Sequence, residues 1–600
     1  MMRVADYIAK KLNSLGTNCY MVTGGGAMHL NDAFGRSGIN LIYCHHEQGC
    51  SIAAEAEARL TKLPAIVNVT TGPGGINALN GVFGAYVDSI PLIVVSGQVK
   101  RETLVRNYDI PWRQLGDQEV DIVKMAEGVT KYAVCIMDPL EVRYHVEKAI
   151  HMSNTGRPGP VWIDVPIDIQ AMQIDPDGQR PFDPDAELIE TFDTITADAQ
   201  VNELINKLES SKRPVFYIGS GIHISNTQSQ FITLAEKLNI PVVTAWNAND
   251  LIEDSHPLYV GRGGTIGNRS GNFVLQSADL VIVLGTRLNI RLVSYNWSSF
   301  APNAFKVVVD IDKYEMIKPT CQFDLKIHST LQYFIPLLHQ KAVKSSINVY
   351  KFKDWVLWGK ERLIKYPVCL NEYWNLKDRV NPYCFVDQLF KELGEDQVVV
   401  CADGTACVVT FQGMSVKKGQ RIFHNSGCAS MGYEIPAAIG AFLGQKKPKK
   451  VISIAGDGSI MMNLQELQTI AGNDYPIQIF ILNNQGYHSI RQTQRNFFSD
   501  NIVGCGLDSG LTFPSFSKIA VAFDFPYHEI KNHQDLKAQL PEILKSEHRF
   551  ICEIHLDLDQ QFSPKLSSKK LPDGSMVTSP LEDMWPFLDK KELMNNIIKN

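Results

Sequence analysis

Asp457 stands between Gly456 and Gly458 in the stretch AGDGSIMMN (residues 455–463), directly after the apolar run that begins at Val451. A second apolar run, IQIFILNN (477–484), ends in Asn483 and Asn484. A carboxylate with an amide oxygen is hard-oxygen ligation, suited to Mg2+ or Ca2+. Mg2+ usually takes one or two protein oxygens and completes its shell with water and phosphate. The interval between Gly458 and Asn483 holds one helix and a returning strand, so the two ends can be neighbours. Gly456 and Gly458 let backbone approach a phosphate closely, and a helix beginning near Ser459 offers its N-terminal amides to the same anion. A turn aspartate capping a helix is the plainer reading of GDG alone. The asparagine pair at this spacing favours a metal on a diphosphate.

The elements that must position these residues are strands of a parallel sheet. Apolar, β-branched runs alternate with helical patterns almost throughout: AIVNV (65–69), PLIVVSG (91–97), PVWIDVP (160–166), RPVFYIG (213–219), DLVIVLG (279–285), FKVVVDID (305–312), QVVVCADG (397–404) and KVISIAGDG (450–458). Runs buried on both faces, each followed by Gly or Asp and then a helix, indicate crossover connections. So many units exceed one sheet. The Pro/Asp-rich stretch 174–187 and the polar, aromatic-dotted region 341–380 read as linkers. The fold class is therefore α/β, with three doubly wound parallel-sheet domains over 1–172, 190–340 and 375–560, and a C-terminal tail over 561–600. In open sheets of this kind ligands bind beyond the carboxyl ends of the strands, where Asp457 and Asn484 stand.

Composition sets the outer limits. The chain has 600 residues, a net charge of −6 and 44% hydrophobic residues, which is ordinary globular material. No basic run is long enough for nucleic acid, and no apolar stretch approaches a membrane span. The N-terminus, MMRVADYIAKKLNSLG, has helical spacing and no signal-peptide core. Twelve cysteines without a CxxC pair read as reduced thiols of a cytoplasmic protein.

GDG followed at this distance by NN resembles the signature of thiamine-diphosphate enzymes. HHEQGCSIAAEAEARLTK (45–62), TTGPGGINALNGVFGAYVDSIPLIVVSGQV (70–99), GRPGPVWIDVP (156–166) and SGCASMGYEIPAAIGAFLG (426–444) resemble the acetolactate synthase branch. The resemblance implies a pyrimidine-binding domain, a central domain and a diphosphate-binding domain. Glu47 matches the family glutamate that hydrogen-bonds the aminopyrimidine ring and favours the tautomer that takes the C2 proton. Met431 matches the apolar wedge beneath the bent cofactor, and the carbonyl of Ala429 the acceptor of its amine. Pro73 and Asn77 fall beside the ring; Gly404, Thr405, Ala406, Gly456, Gly458 and Ser459 meet the diphosphate. The metal ligands implied are Asp457, Asn484 and the backbone oxygen of Gly486. Gly26, Ala27 and Gln98 map near the substrate. The resemblance also implies a homo-oligomer, dimer or tetramer, with Glu47 and the GDG/NN residues of one site coming from different copies.

Synthases of this branch carry FAD in the central domain. LGTRLNIR (284–291) resembles their arginine-containing stretch. Gly285, Arg287 and Arg291 then meet the FAD diphosphate, Asp310 and Ile311 the adenosine ribose, and Thr244 the passage of the ring. The acceptor side departs from the synthases: the pocket Met is Ser489, the pocket Trp is Thr493 and an aromatic is Asp117, with His488 and Arg491 as added donors. Polar pocket groups need polar partners. This, with the tail LPDGSMVTSPLEDMWPFLDKKEL (571–593), resembles carboligases of branched-sugar pathways; the tail could be a lid or a packing arm. The leading expectation is a Mg2+/thiamine-diphosphate carboligase, a lyase or transferase. It decarboxylates pyruvate or a related 2-keto acid and adds the two-carbon unit to a ketone, with a nucleotide-linked keto-sugar as a candidate acceptor. Acetolactate synthase, a simple 2-keto acid decarboxylase and a non-catalytic regulatory paralogue are the alternatives.

Overall fold

The structure is a computed structural model that describes residues 1–186, 192–498, 501–570 and 573–598. The expected start of the central domain at 190, the end of the 174–187 linker and residues 571–572 of the tail lie outside these. Three six-stranded sheets, parallel throughout, carry the chain. In the first, Leu41–Tyr43, Cys19–Met21, Ala65–Val69, Leu92–Gln98, Pro160–Pro166 and Tyr132–Cys135 lie side by side in that order. In the third the sequence across the sheet is Arg421–Phe423, Val398–Cys401, Val451–Gly456, Ile477–Asn483, Phe550–His555 and Tyr527–Ile530. Both sheets therefore run 2-1-3-4-6-5 by order of appearance within the domain. The central sheet runs 3-2-1-4-5-6, from Tyr259–Arg262 through Val242–Thr244, Pro214–Ile218, Leu280–Leu284 and Phe305–Asp310 to Leu325–His328.

These orders decide where ligands can sit. Strand order reverses between the first and third strands in the outer domains, and between the first and fourth in the central one, and a crevice opens beyond the carboxyl ends there. In the third domain that crevice lies between Cys401 and Gly456, paired strands followed by ADGT and DGS. In the central domain it lies between Ile218 and Leu284, followed by Gly219–Gly221 and Gly285–Arg287.

The domains are fastened by buried polar contacts. Arg59 holds Asp88 at 2.5 Å and Glu55 beside it, while the Tyr433 hydroxyl donates to Glu55 at 2.8 Å. The helix Glu47–Thr61 thereby packs on the helix Glu434–Leu443 of the third domain. The central domain meets the third through Asp250, which takes the Ile422 amide at 2.8 Å, pairs with His223 at 2.7 Å and binds Arg421. Asp250 is held well below the usual carboxylate range: burial opposes this, and the Arg421 guanidinium is the foremost of the groups that overcome it.

One expectation needs correction, and one left open is decided. The region 341–380 is not simply a linker, because it contains the helix Lys353–Lys365, packed on the Arg269–Ser277 helix and the edge strand Tyr259–Arg262. Trp355 is buried there and its indole N–H donates to the Pro214 carbonyl at 2.9 Å. The tail is a packing arm. Leu581 and Met584 are fully buried, Asn272 donates to the Leu581 carbonyl at 3.0 Å and Arg269 to that of Met584 at 3.2 Å. Among the described residues no helix is long and apolar enough to cross a membrane.

Candidate active site

At the crevice of the third domain Asp457 is almost wholly buried. Its carboxylate accepts the Gly458 amide at 2.8 Å and the Gly486 amide at 2.9 Å. Burial pushes its pKa up to about 7, against the pull of those N–H groups; a cation alongside would favour the ionised form. The two asparagines have separate duties. Asn483 is engaged on both sides of its amide: Nδ2 donates to Glu553 at 2.5 Å and Oδ1 accepts the Gln485 amide at 3.0 Å. Asn484 is buried and its Oδ1 has no partner, while Nδ2 reaches the Thr405 hydroxyl at 3.4 Å. An unpartnered buried acceptor beside a buried carboxylate fits a hard cation. Among the described residues no group of three His, Cys, Asp or Glu could hold a metal; the oxygens gathered at this spot are the Asp457 carboxylate and the Asn484 amide oxygen.

Gly486 has φ +136°, and a Cβ there would lie 1.8 Å from the Cys505 carbonyl; only glycine fits this turn. Its own carbonyl accepts the His488 amide at 2.9 Å. Arg491 stitches the turn from behind, donating to the Asn484 carbonyl at 2.7 Å and approaching that of Gln485 at 3.5 Å. The helix Thr405–Gly413 starts at this same spot, with Gly404 at φ +81° as its N-cap. A further turn closes over the site. Ala429 sits at φ +60° with its amide on the Asn425 carbonyl at 2.8 Å. The Gly432 amide donates to the Ser459 hydroxyl at 2.8 Å, and Asn463 donates to the Gly432 carbonyl at 2.8 Å. The chain thus gathers Gly404–Ala406, Ala429–Gly432, Gly456–Ser459 and Asn484–Gly486 at one end of one sheet. Sequence reasoning missed Glu434, which is fully buried, accepts the Ser459 hydroxyl at 2.9 Å and is pushed up to about 7 by burial. Its position in an apolar helix, EIPAAIGAFL, was the available signal.

Glu47 belongs to a second cluster. It is the first residue of the helix Glu47–Thr61, whose N-cap His46 accepts the Gln48 amide through Nδ1. Asn77 donates to Glu47 Oε2 at 3.1 Å, and the Pro73–Asp88 helix begins beside Glu47 Oε1. Glu47, Pro73 and Asn77 are therefore together. The nearest carboxylate offered to this corner by the third domain is Glu466, which accepts the His45 amide at 3.1 Å. Gly26 is held by its amide on Thr70 Oγ1 at 3.1 Å, at the first domain's own strand reversal, with Ala27 buried next to it.

Other expected substrate residues are spent within the chain or face outward. Gln98 is buried, with its amide nitrogen on Asp164 and on the Val120 carbonyl, both at 3.0 Å. His488 is buried, bound to the Gln560 carbonyl at 2.8 Å and pushed down to about 4 by burial. Ser489 is half-buried and Thr493 exposed on the outer side of the helix His488–Phe498; Asp117 is exposed. That helix is gripped on its inner side by the start of the tail, where Gln492 accepts the Phe562 amide at 3.3 Å.

The central crevice is a cavity of about 510 Å3 lined by Gly219–Gly221, Gly285, Arg287, Asp310 and Ile311, with Trp246 at one end. Asp310 is pushed up to about 6 by burial. Thr244 lies outside the lining, fully buried with Oγ1 unpartnered, and Arg291 lies outside it too, over the Trp246 ring at 6.0 Å. Trp246, one of the lining residues, meets the buried Phe411 ring at 4.3 Å between centroids with the planes tilted by 41°.

Residues 2–125, 201–338 and 403–554 match, in order, family models described as the thiamine pyrophosphate enzyme N-terminal TPP binding domain, central domain and C-terminal TPP binding domain. The acetolactate synthase large subunit of Lactococcus lactis subsp. lactis (strain IL1403) is 30% identical over 570 residues, 94% of each chain. Acetolactate synthase isozyme 1 large subunit of Escherichia coli (strain K12) is 28% identical over 93% of this chain and 95% of its own length. Chloroplastic acetolactate synthase 2 of Nicotiana tabacum is 28% identical over 94% and 83%.

Proposed function

Because this chain belongs to the thiamine diphosphate enzymes of acetolactate synthase type, we propose that it is a Mg2+-dependent carboligase. It takes a 2-keto acid such as pyruvate as donor and a ketone as acceptor. When bound, thiamine diphosphate supplies the carbon nucleophile and the electron sink for losing CO2 and joining the two-carbon unit to the acceptor. Asp457, Asn484 Oδ1 and the Gly486 carbonyl would hold the metal. Gly404–Ala406 and the backbone of Gly456–Ser459 would receive the diphosphate. Glu47, oriented by Asn77, would hydrogen-bond the ring nitrogen. Ala429 offers its carbonyl and Met431 its apolar side chain at the turn over the site. The observation that carries the reading is the unpartnered, buried Oδ1 of Asn484 beside Asp457.

Two copies would share each site. An apolar stripe on the Pro73–Asp88 helix, Ile76, Phe83 and Tyr86, each about two-fifths exposed, supports pairing on that face. For the acceptor we favour a hydroxylated ketone of the nucleotide-linked keto-sugar kind. What supports this is the residue types alone: Ser489, Thr493 and Asp117 are polar where the synthases it resembles have bulk. Pyruvate as acceptor is the second reading, and the similarity to acetolactate synthases favours it. FAD would lie in the central cavity, its diphosphate at Gly285 and Arg287 and its ribose at Asp310 and Ile311.

The test is CO2 release from labelled pyruvate with Mg2+ and thiamine diphosphate, with the product mass read across a panel of ketones. Product with a sugar ketone supports the first acceptor, and acetolactate alone replaces it with the second. No CO2 under any condition overturns the carboligase reading. Glu47→Gln should lose most of the CO2 release, and a yellow purified protein would mark the flavin.

A further inference from the structure

All twelve cysteines are free thiols, and three of them, Cys135, Cys369 and Cys428, are only half-buried. Cys135 faces a thioether, with Met137 Sδ at 3.7 Å. Cys369 faces another thiol: its Sγ is 3.9 Å from that of buried Cys384. The two come from different kinds of backbone. Cys384 is in the first turn of the helix Pro382–Glu392, which is buried along one side. Cys369 lies in irregular chain between the helix Lys353–Lys365 and the short 3-10 turn Asn371–Asn375. This stretch connects the part of the chain packed on the central domain to the first helix of the third.

We propose that Cys369 and Cys384 are a modification site: a dithiol that a hydroperoxide converts to a reversible disulfide, tethering this connector to the third domain. A disulfide needs its sulfurs about 2.05 Å apart, so the pair must close from 3.9 Å. The irregular backbone at Cys369 can supply that movement while the helix bearing Cys384 stays in place. Accessibility and acidity assign the order of events. Cys369 is the reachable thiol, and its Cys384 neighbour, as hydrogen-bond partner of the thiolate, draws its pKa below the ordinary thiol value. Cys384 is shifted the other way, first by that same contact and then by burial.

The Cys369 thiolate sulfur attacks one peroxide oxygen; the O–O bond breaks and hydroxide leaves, taking up the proton Cys369 has lost to become water. Cys369 is then a sulfenic acid, oxidised by two electrons. The Cys384 sulfur attacks the Cys369 sulfur; the S–S bond forms, the S–O bond breaks, and the departing hydroxide takes the Cys384 proton. In sum, two thiols and hydrogen peroxide give one disulfide and two waters. A dithiol reductant reverses the bond by thiol–disulfide exchange. The tether falls beside Tyr383, whose hydroxyl donates to Gln412 at 2.7 Å and accepts the Ser563 amide at 2.7 Å. It therefore fixes the connector at the point where the tail is already fastened.

The test is hydrogen peroxide added to the full chain, followed by thiol counting, peptide mapping and limited proteolysis. The expected result is loss of two thiols per chain, a peptide linked through Cys369 and Cys384, slower cleavage of the connector, and full return with dithiothreitol. In Cys384→Ser, Cys369 should stop at the sulfenic acid and be trapped by dimedone. If that variant does not fold, the peptide map of the unaltered chain still decides. A map showing no linked Cys369, a bond between Cys44 and Cys50 instead, or Cys369 carried straight to sulfinic acid would overturn the proposal.

Discussion

Replacing Asn484 by leucine should separate the two asparagines by opposite signs. In the cofactor-free chain Asn484 Oδ1 is a buried acceptor without a partner, which costs about 1–3 kcal/mol. Leucine keeps the approximate shape and removes that cost. What is lost is the Nδ2 contact with Thr405 at 3.4 Å, long for a hydrogen bond and worth under about 1 kcal/mol. The cofactor-free Asn484→Leu chain should therefore be unchanged to about 2 kcal/mol more stable. Cofactor binding should move the other way. Losing one oxygen from a cation costs about 1.5–3 kcal/mol by the scale of charged contacts, so Mg2+-dependent binding weakens roughly tenfold to more than a hundredfold. Asn483→Leu reverses the pattern: it breaks the bonds to Glu553 and to the Gln485 amide, for a loss of about 1–3 kcal/mol at this half-buried position. The assays are urea midpoints of the cofactor-free chains, and fluorescence titration with thiamine diphosphate at fixed Mg2+. A destabilised Asn484→Leu chain that bound cofactor normally would refute the assignment of Asn484 as a metal ligand.

Arg491→Met removes the clamp on the Asn484 and Gln485 carbonyls; Mg2+ affinity should fall about tenfold, a cost of ~1.4 kcal/mol, with the helix content unchanged by circular dichroism. His424 accepts N–H groups from Trp246 at 3.3 Å and Ser426 at 3.2 Å on Nδ1, so its proton rests on Nε2, which has no partner. Burial pushes its pKa down to about 3. The unfolded chain protonates this ring below about 6.5, so its contribution to stability is full above that pH. It is lost on acidification towards 3, by about 1.4 kcal/mol per pH unit. His424→Asn should flatten the acid limb of a stability–pH curve by one proton, and an unaltered slope would count against the burial argument. Leu581→Ala empties a fully buried anchor of the tail itself and should cost about 2–5 kcal/mol, seen as earlier proteolysis of the tail; unchanged cleavage would mean the arm is held by its hydrogen bonds alone.

Asp457 and Asn484 were legible because the chemistry of their site needs small neighbours and oxygen donors at two adjacent strand ends, and strand ends are marked by where apolar runs stop. The parallel sheets were legible for the same reason: strands such as Ile477–Asn483 are buried on both faces and read as unbroken apolar runs. The helix Lys353–Lys365 is hidden in a polar, aromatic-dotted stretch that reads as linker, although Phe352, Trp355, Val356 and Gly359 keep the spacing of one helical face. His488 and Arg491 are expected at the acceptor side by residue type, and Gln98 near the substrate by resemblance. Their hydrogen bonds go to Gln560, to Asn484 and to Asp164. The first and last of those partners are distant in sequence, and nothing in the local pattern tells a spent donor from a free one.

The repeated strand order gives the two-cluster site its logic. The first and third domains share one topology, so each presents one reversal of strand order and one crevice. The chain furnishes them differently. The third domain's crevice has a buried carboxylate, an unpartnered amide oxygen and a helix N-terminus, the equipment for a metal and a charged tail. The first domain's edge has Glu47 in the first turn of a helix, held by Asn77, the equipment for one proton on a ring. A coenzyme with a diphosphate at one end and a basic ring at the other needs both kinds of crevice face to face. Within one chain the first domain's Glu47 corner abuts Glu466 rather than Asp457. The exposed stripe of Ile76, Phe83 and Tyr86 runs along the very helix that starts at Pro73 beside Glu47. One helix therefore carries both the partner of Glu47 at its start and an apolar face that the rest of the chain leaves exposed.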